Sequence, residues 1–272
     1  MPSSIYDRAG QMASTMPMGP DTFAEELAHV TSYLIRKLSP ILKVSDDVDE
    51  AIRVLAQNEA HYARQDEIIA AGADYDCVFL VNHGWAVRYK LLESGARQIV
   101  NFALPGDFLC FNATLFRQSD YYIGALTELR LFVLPLVPFA QMLSLHPELA
   151  LALSWTNAHE EALLAERITS LGRRTARQRM AHLFCELYRR VELLGLNEGN
   201  GLRLPITQDE LADTLGLSAV HVNRTLRQLR AEQMISLDGQ QLRIHDMKGL
   251  ERVAGFDAGY LHFTEQRPSR FL

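Results

Sequence analysis

The chain has 272 residues, 48% of them hydrophobic and 22% charged, enough for two modest domains with a core in each. The formal net charge of −6 argues, taken alone, against a nucleic-acid partner. The charge is uneven, however: Arg167 to Ala231 holds eleven Arg against six Asp or Glu, a local net of +5 that leaves −11 for the rest. Phosphate attraction is local under physiological screening, so a basic module joined to an acidic one keeps nucleic acid in play.

Residues 1–20 are rich in Met, Ser and Gly without a period and read as a loose tail. They hold no apolar run like a signal peptide, and no segment reaches about 18 consecutive apolar residues, so no membrane partner is expected. Helical patterns follow at 22–38 and about 46–58. The stretch DCVFLVNHGWAVRYKLL is rich in Val, Phe, Trp and Tyr and predicts two strands turning near Asn82, His83 and Gly84. Further turns at 93–95 and 105–107 and apolar runs at 96–104 and 129–136 predict a β-sandwich or barrel-like roll.

From His146 the pattern is helical, with Pro147 suited to a first turn. Leu151, Trp155, Ala158, Ala162 and Ala165 follow 4-3-4-3 spacing, and Leu164, Ile168 and Leu171 form a neighbouring stripe. One stripe is expected to pack on the roll and the other to meet a partner helix in a homodimer, since small residues permit close approach. The alternative is a helix lying wholly on its own domain. A further helix over 175–193 puts Met180, Phe184, Leu187 and Val191 on one face, with Cys185 beside it.

Residues 207–230 carry the clearest motif. Thr207 and Glu210 form a capping box, Gly216 suits a left-handed helix end, and Ser218 is a second N-cap. Val222, Leu226 and Leu229 bury one face of the second helix. Ala219, Val220, Asn223, Arg224 and Arg227 are left on the other, in the register of a recognition helix in a helix-turn-helix. Arg grips guanine O6 and N7, Asn pairs with adenine N6 and N7, and Ala or Val touches a thymine methyl. Thr207 and Gln208 are placed to hydrogen-bond phosphate. Asp238 and Gly239 signal a hairpin, which makes the module winged and the expected partner double-stranded DNA.

From these residues on, the chain resembles the CRP/FNR superfamily of transcriptional regulators, over roughly 33–250. The segment ITQDELADTLGLSAVHVNRTLRQLRAEQMISLDGQQLRI resembles the family's DNA-binding segment without a gap. GADYDCVFLVNHGWAVRYKLLESGARQIVNFALPGDF resembles its β-roll, with Gly72, Gly84, Gly95 and Gly106 at the turns. The implied architecture is α+β: an N-terminal extension (1–32), a jelly-roll sensor of the cyclic-nucleotide-binding kind (33–145) and a dimerisation helix (146–172). A winged helix-turn-helix (173–248) and a C-terminal extension (249–272) follow.

The resemblance implies a homodimer on a palindromic site, Arg224 as a base reader, and RNA polymerase as a further candidate partner. Val220 stands where the family often has a cytosine-reading glutamate, so the preferred half-site is expected to differ. His221 stands where the family often has Thr, with a phosphate, helix-start or packing role left open.

Members that bind cyclic AMP carry Gly-Glu-Leu after the GDF turn and a later Arg-Ser or Arg-Thr pair. Here Phe111 replaces the glutamate and only Arg117 is nearby, so cyclic AMP is not expected. The absence of cysteines before Cys77 likewise speaks against an Fe–S cluster, and no C-x-x-C or metal-ligand spacing occurs. His61, His83 and Cys77 have no spacing that singles them out for haem. Three scattered cysteines suit a reducing cytoplasm, with a redox role for Cys185 the alternative.

No catalytic motif is found, the HEE at 159–161 lacking a second histidine, and no enzyme is expected. The competing function is a ligand sensor that uses its winged module for protein contacts.

Overall fold

A computed structural model describes residues 33–38, 46–56, 58–74 and 76–263. The tail at 1–20 and most of the helix expected at 22–38 lie outside the described residues. Residues 33–38 (α1) are helical. The chain forms two compact units. The first takes in described residues up to Lys90 and Asn101–Thr156, and the second Leu91–Val100 and Asn157 onward.

Helix α2 (Asp46–Leu55) precedes eight strands, which belong to the first unit except at Leu91 and Arg97–Val100: β1 (Asn58–Tyr62), β2 (Glu67–Ile69), β3 (Cys77–His83), β4 (Ala86–Leu91), β5 (Arg97–Ala103), β6 (Phe108–Leu109), β7 (Tyr122–Ala125) and β8 (Leu129–Pro135). They form two four-stranded sheets, ordered β1-β8-β3-β6 and β2-β7-β4-β5. The long β3–β8 pairing is antiparallel, with Phe79 opposite Val133. Cys77, Phe79, Val81, Leu131 and Val133 join one core with Ile69, Ala86 and Ile123 of the other sheet. Val78, Leu80, Phe132 and Leu134 face the opposite way, into a core with helical residues such as Leu38, Ile52, Phe139 and Leu153. Both faces of these strands are buried, so they read as unbroken apolar runs rather than as alternation.

The turn after β3 needs Gly84. Its φ is +87°, and an added Cβ would lie 2.2 Å from the Glu128 carbonyl oxygen.

The sequence reading misses one helix here. After β8 the chain enters α3 (Leu136–Leu145) at once, before α4 (Pro147–Arg173) begins. Along α4 the inward residues are Leu149, Ala152 and Leu153 in the first unit, and Leu163, Arg167 and Ser170 in the second. This buried face lies beside the two apolar stripes read from the sequence: Trp155 of the first stripe packs against the roll's core, and neither stripe is buried along its length. Leu151 (46%) and Ile168 (70%) are exposed. Ala158 and Ala165 are exposed too, while Trp155, Ala162, Leu164 and Leu171 are half-buried.

The second unit continues with α5 (Ala176–Leu194), β9 (Gly201–Arg203), α6 (Gln208–Leu215), α7 (Ala219–Ala231), β10 (Ile235–Asp238), β11 (Gln241–Ile244) and α8 (Met247–Ala254), then a 3-10 turn at Ala258–Leu261. A Thr175–Gln178 capping box starts α5, and Gly195 ends it in the left-handed conformation. Met180, Phe184, Leu187 and Val191 are buried as expected, and so is Cys185. Burial pushes the Cys185 thiol up to about 12, which disfavours the thiolate that redox chemistry needs.

Charged residues are buried on α5 as well. Glu186, 1% exposed, receives Arg167 Nη2 at 3.2 Å, with Arg190 Nη1 3.8 Å away. The C-terminal stretch closes over this cluster. Leu250, Ala254 and Leu261 are buried, and Tyr260 donates its hydroxyl hydrogen to Glu186 Oε2 at 3.3 Å. Phe256 and Tyr260 also pack on the His182 ring, with centroids 5.1 and 5.8 Å away.

Burial, with the Arg174 and Arg167 charges, lowers the His182 pKa to about 3. Glu166 Oε2 lies 3.3 Å from Nε2 but makes no hydrogen bond with it, so desolvation wins over that carboxylate. The unfolded chain therefore binds a proton at His182 that the folded chain refuses, from about pH 6.5 down to pH 3. Stability supplied by neutral His182 is present above that window and is lost as pH falls through it. Thermal melts are expected to lose less on going from pH 7 to pH 4.5 in His182→Gln than in the wild type. Equal pH dependence of the two proteins would contradict this assignment.

Candidate nucleic-acid interface

The two helices of the motif form as their caps dictate. Thr207 Oγ1 accepts the Glu210 backbone N–H at 3.2 Å, and Glu210 Oε2 accepts the Thr207 backbone N–H at 2.7 Å. The Thr207 hydroxyl also donates to Glu210 Oε2 at 2.9 Å, so its proton is already engaged. At the far end of α6, Gly216 sits at φ +60°, and an added Cβ would meet Leu171 Cδ2 at 3.2 Å. Arg179 Nη1 donates to the free Leu215 carbonyl at 2.9 Å and closes that helix end. Ser218 then caps α7 by accepting the His221 backbone N–H at 3.3 Å.

Helix α7 buries Val222, Thr225, Leu226 and Leu229. Its opposite side carries Ala219, Val220, His221, Arg224 and Arg227, all exposed. Val220 is 77% exposed, a branched apolar side chain presented to water on the first turn. Among the described residues, neither Arg224 nor Arg227 makes an ion pair or hydrogen bond. Arg230 is used differently, donating to the Leu237 carbonyl at 2.7 Å and so tying the helix to the hairpin. Asn223 stands apart from the exposed set: it is half-buried and its Nδ2 donates to Gln208 Oε1 at 3.2 Å. Gln208 itself is exposed.

The wing is a three-stranded sheet, β10-β11-β9, its hairpin turning at Gly239-Gln240 with Asp238 opposite Gln241. Leu202 and Leu242 pair on its inner face. Arg203 and Arg243 lie on the outer face, exposed and unpaired among the described residues. The sequence reading leaves these two out, although the alternation in Gln241-Leu242-Arg243-Ile244 marks Arg243 as outward. Four exposed arginines with no acidic partner thus lie on the recognition helix and the wing.

In the roll, Phe111 is half-buried with its ring edge-on to Phe139 at 6.5 Å. The Arg117 side chain is 85% exposed and pairs with Asp74 at 3.2 Å. Among the described residues, no cluster of His, Cys, Asp or Glu fits a metal ion. No single described helix is long and apolar enough to cross a membrane.

Comparison with known proteins decides the family. Residues 178–253 match the Crp-like helix-turn-helix domain and residues 59–146 the cyclic nucleotide-binding domain. The transcriptional activator protein FnrL of Cereibacter sphaeroides is 32% identical over 202 residues, 72% of this chain and 80% of the relative. The chain belongs to the CRP/FNR family of transcriptional regulators. The transcriptional activatory protein AadR of Rhodopseudomonas palustris is 29% identical over 238 residues, 86% of this chain and 97% of its own. The structure of FixK2 from Bradyrhizobium japonicum matches with a TM-score of 0.68 at 25% identity, covering 74% of this chain and 98% of that one. This CRP/FNR protein is therefore a DNA-binding regulator of transcription with a cyclic-nucleotide-binding-like domain ahead of its helix-turn-helix.

Proposed function

We propose that this regulator works in the cytoplasm as a homodimer on a roughly palindromic duplex site, one copy of α7 in each major groove. Arg224 and Val220 read base edges, and Ala219 lies beside them. Arg227, His221 and Ser218 lie along the backbone, with Arg203 and Arg243 of the wing adding phosphate contacts. The observation that carries this reading is the outward side of α7: a 77% exposed Val220 one turn from an unpaired Arg224. Valine offers a thymine methyl an apolar contact, and a free guanidinium offers guanine two parallel hydrogen bonds. The exposed Ala158 and Ala165 of α4 support the dimer, whose two recognition helices would meet half-sites about one helical turn apart.

We assign no catalytic role, no cyclic AMP and no Fe–S cluster to the chain. Phe111 and the solvated Arg117 support the second of these, and the lack of cysteines before Cys77 supports the third. RNA polymerase is the further candidate partner.

Selection of bound sites from random duplexes, with purified protein and no added nucleotide, tests the reading. A palindromic consensus is expected, with affinity falling steeply as salt rises, because each neutralised phosphate releases counterions. Salt-insensitive binding would favour protein contacts by the wing, and binding that requires cyclic AMP would overturn the reading of Phe111. On the selected site Arg224→Ala is expected to lose about 1–3 kcal/mol, with nonspecific binding little changed. Equal loss on every sequence would make Arg224 a phosphate contact.

A further inference from the structure

The sequence reading counts Asn223 among the base readers, but its surroundings in the folded unit suit another task. To read adenine an asparagine must present both ends of its carboxamide on one open edge, the oxygen to N6 and the nitrogen to N7. The Oδ1 atom of Asn223 is buried with no hydrogen-bond partner, and Nδ2 is engaged by Gln208 Oε1 at 3.2 Å. The acceptor end is not offered outward, so the paired contact with adenine is not presented. Gln208, by contrast, is exposed at the first position of α6, one residue past the cap.

A glutamine carboxamide has an acceptor end and a donor end. A phosphate oxygen only accepts. Which end of Gln208 faces outward therefore decides whether it attracts or repels the backbone of a duplex. A donor from Asn223 pins the acceptor end inward and leaves both Nε2 hydrogens for the outside.

We infer that Asn223 is a positioning residue, which fixes Gln208 so that its Nε2 donates to a backbone phosphate and which does not itself read a base. The inference rests on the DNA-binding reading above and assigns the source of one of its phosphate contacts. Its partner chemistry is an unesterified phosphate oxygen of duplex DNA, and it predicts no base preference from this position.

The test uses the full chain and a duplex taken from the random-site selection. Affinities are measured for the wild type, Asn223→Ala, Gln208→Ala and the double variant, and the selection is repeated with Asn223→Ala. Each single variant is expected to bind about three- to tenfold more weakly, the worth of one hydrogen bond. The double variant should be no weaker than Gln208→Ala, because both changes remove the same contact. The selected consensus should not change. Asn223→Asp keeps the shape but replaces the donor with an acceptor, so it should lose at least as much while melting near the wild-type temperature. It carries the test if the alanine variant fails to fold.

Additive losses, an unaffected Asn223 variant, or a consensus relaxed at one base pair would each overturn the inference. A wild-type protein that selects no consensus at all would instead end the functional reading, so the two failures are distinguishable.

Discussion

Glu186→Ala is expected to destabilise the second unit by about 3–5 kcal/mol, the range for leaving a buried charge without its partner. Glu186 is 1% exposed, and Arg167 and Arg190 are each 6% exposed. With the carboxylate gone, two guanidiniums face each other in a space already closed by Tyr260 and the helix α8 stretch. Like charges in a dry pocket repel, and neither cation can reach water without moving the C-terminal cover. The Arg117–Asp74 pair makes the contrast. Its side chains are 85% and 53% exposed, so water screens the pair and it adds little to stability.

The readout can be confined to the right unit. Both tryptophans, Trp85 and Trp155, belong to the first unit, so tryptophan fluorescence follows that unit in urea. Far-UV circular dichroism follows the helices of both units. Glu186→Ala should move the circular dichroism transition and leave the fluorescence transition nearly in place. A loss below 1 kcal/mol would mean that water enters the cluster and that the C-terminal stretch does not seal it. Replacing Arg167 and Glu186 together by apolar residues should cost far less than Glu186→Ala alone, because the buried charge leaves with its partner.

The helix-turn-helix was legible in the sequence because each of its signals is local. A capping box spans four residues, a glycine ends the helix at once, and the buried face of α7 repeats every three or four positions. Strands β3, β4, β5 and β8 were legible because their apolar runs are bounded by turns. Elsewhere the local signal is weak. Strand β1 reads Asn-Glu-Ala-His-Tyr and pairs at the sheet edge with β8, so its placement depends on a partner some 70 residues away. Helix α3 follows β8 without a break, begins at Pro135 with no side-chain cap, and continues the same apolar composition.

The buried charges of α5 were illegible for a related reason. His182, Glu186 and Arg190 are spaced like a solvated helix face, and Arg167 and Tyr260, distant in sequence, help to make their burial tolerable. Asn223 is the same case at the functional surface. Its helical register places it among the outward residues, and only the packing of α7 on α6 brings it against Gln208.

Ala165→Glu is expected to break the proposed dimer and, with it, most of the affinity for a palindromic site. Ala158 and Ala165 are exposed on α4, and Ile168 is 70% exposed three residues further on. Small residues alternating with a larger apolar one let two helices approach closely, and among the described residues Ala158, Ala165 and Ile168 stay exposed. Where the two-fold axis runs along the helix pair, a position at the seam lies near its own copy, so one substitution introduces two facing carboxylates. Glutamate is a good helix former and Ala165 is on the surface, so the fold of each copy should survive. Light scattering should then report the mass of one chain where the wild type gives two. Losing the second attachment should weaken binding to the full palindrome by about 10²–10⁴-fold, the usual gain from linking two sites. Binding to a single half-site should stay as in the wild type, since α7 and the wing are untouched. A variant that remains dimeric would place the interface on another face of α4. A monomeric wild type that still bound the palindrome tightly would remove the dimer from the mechanism.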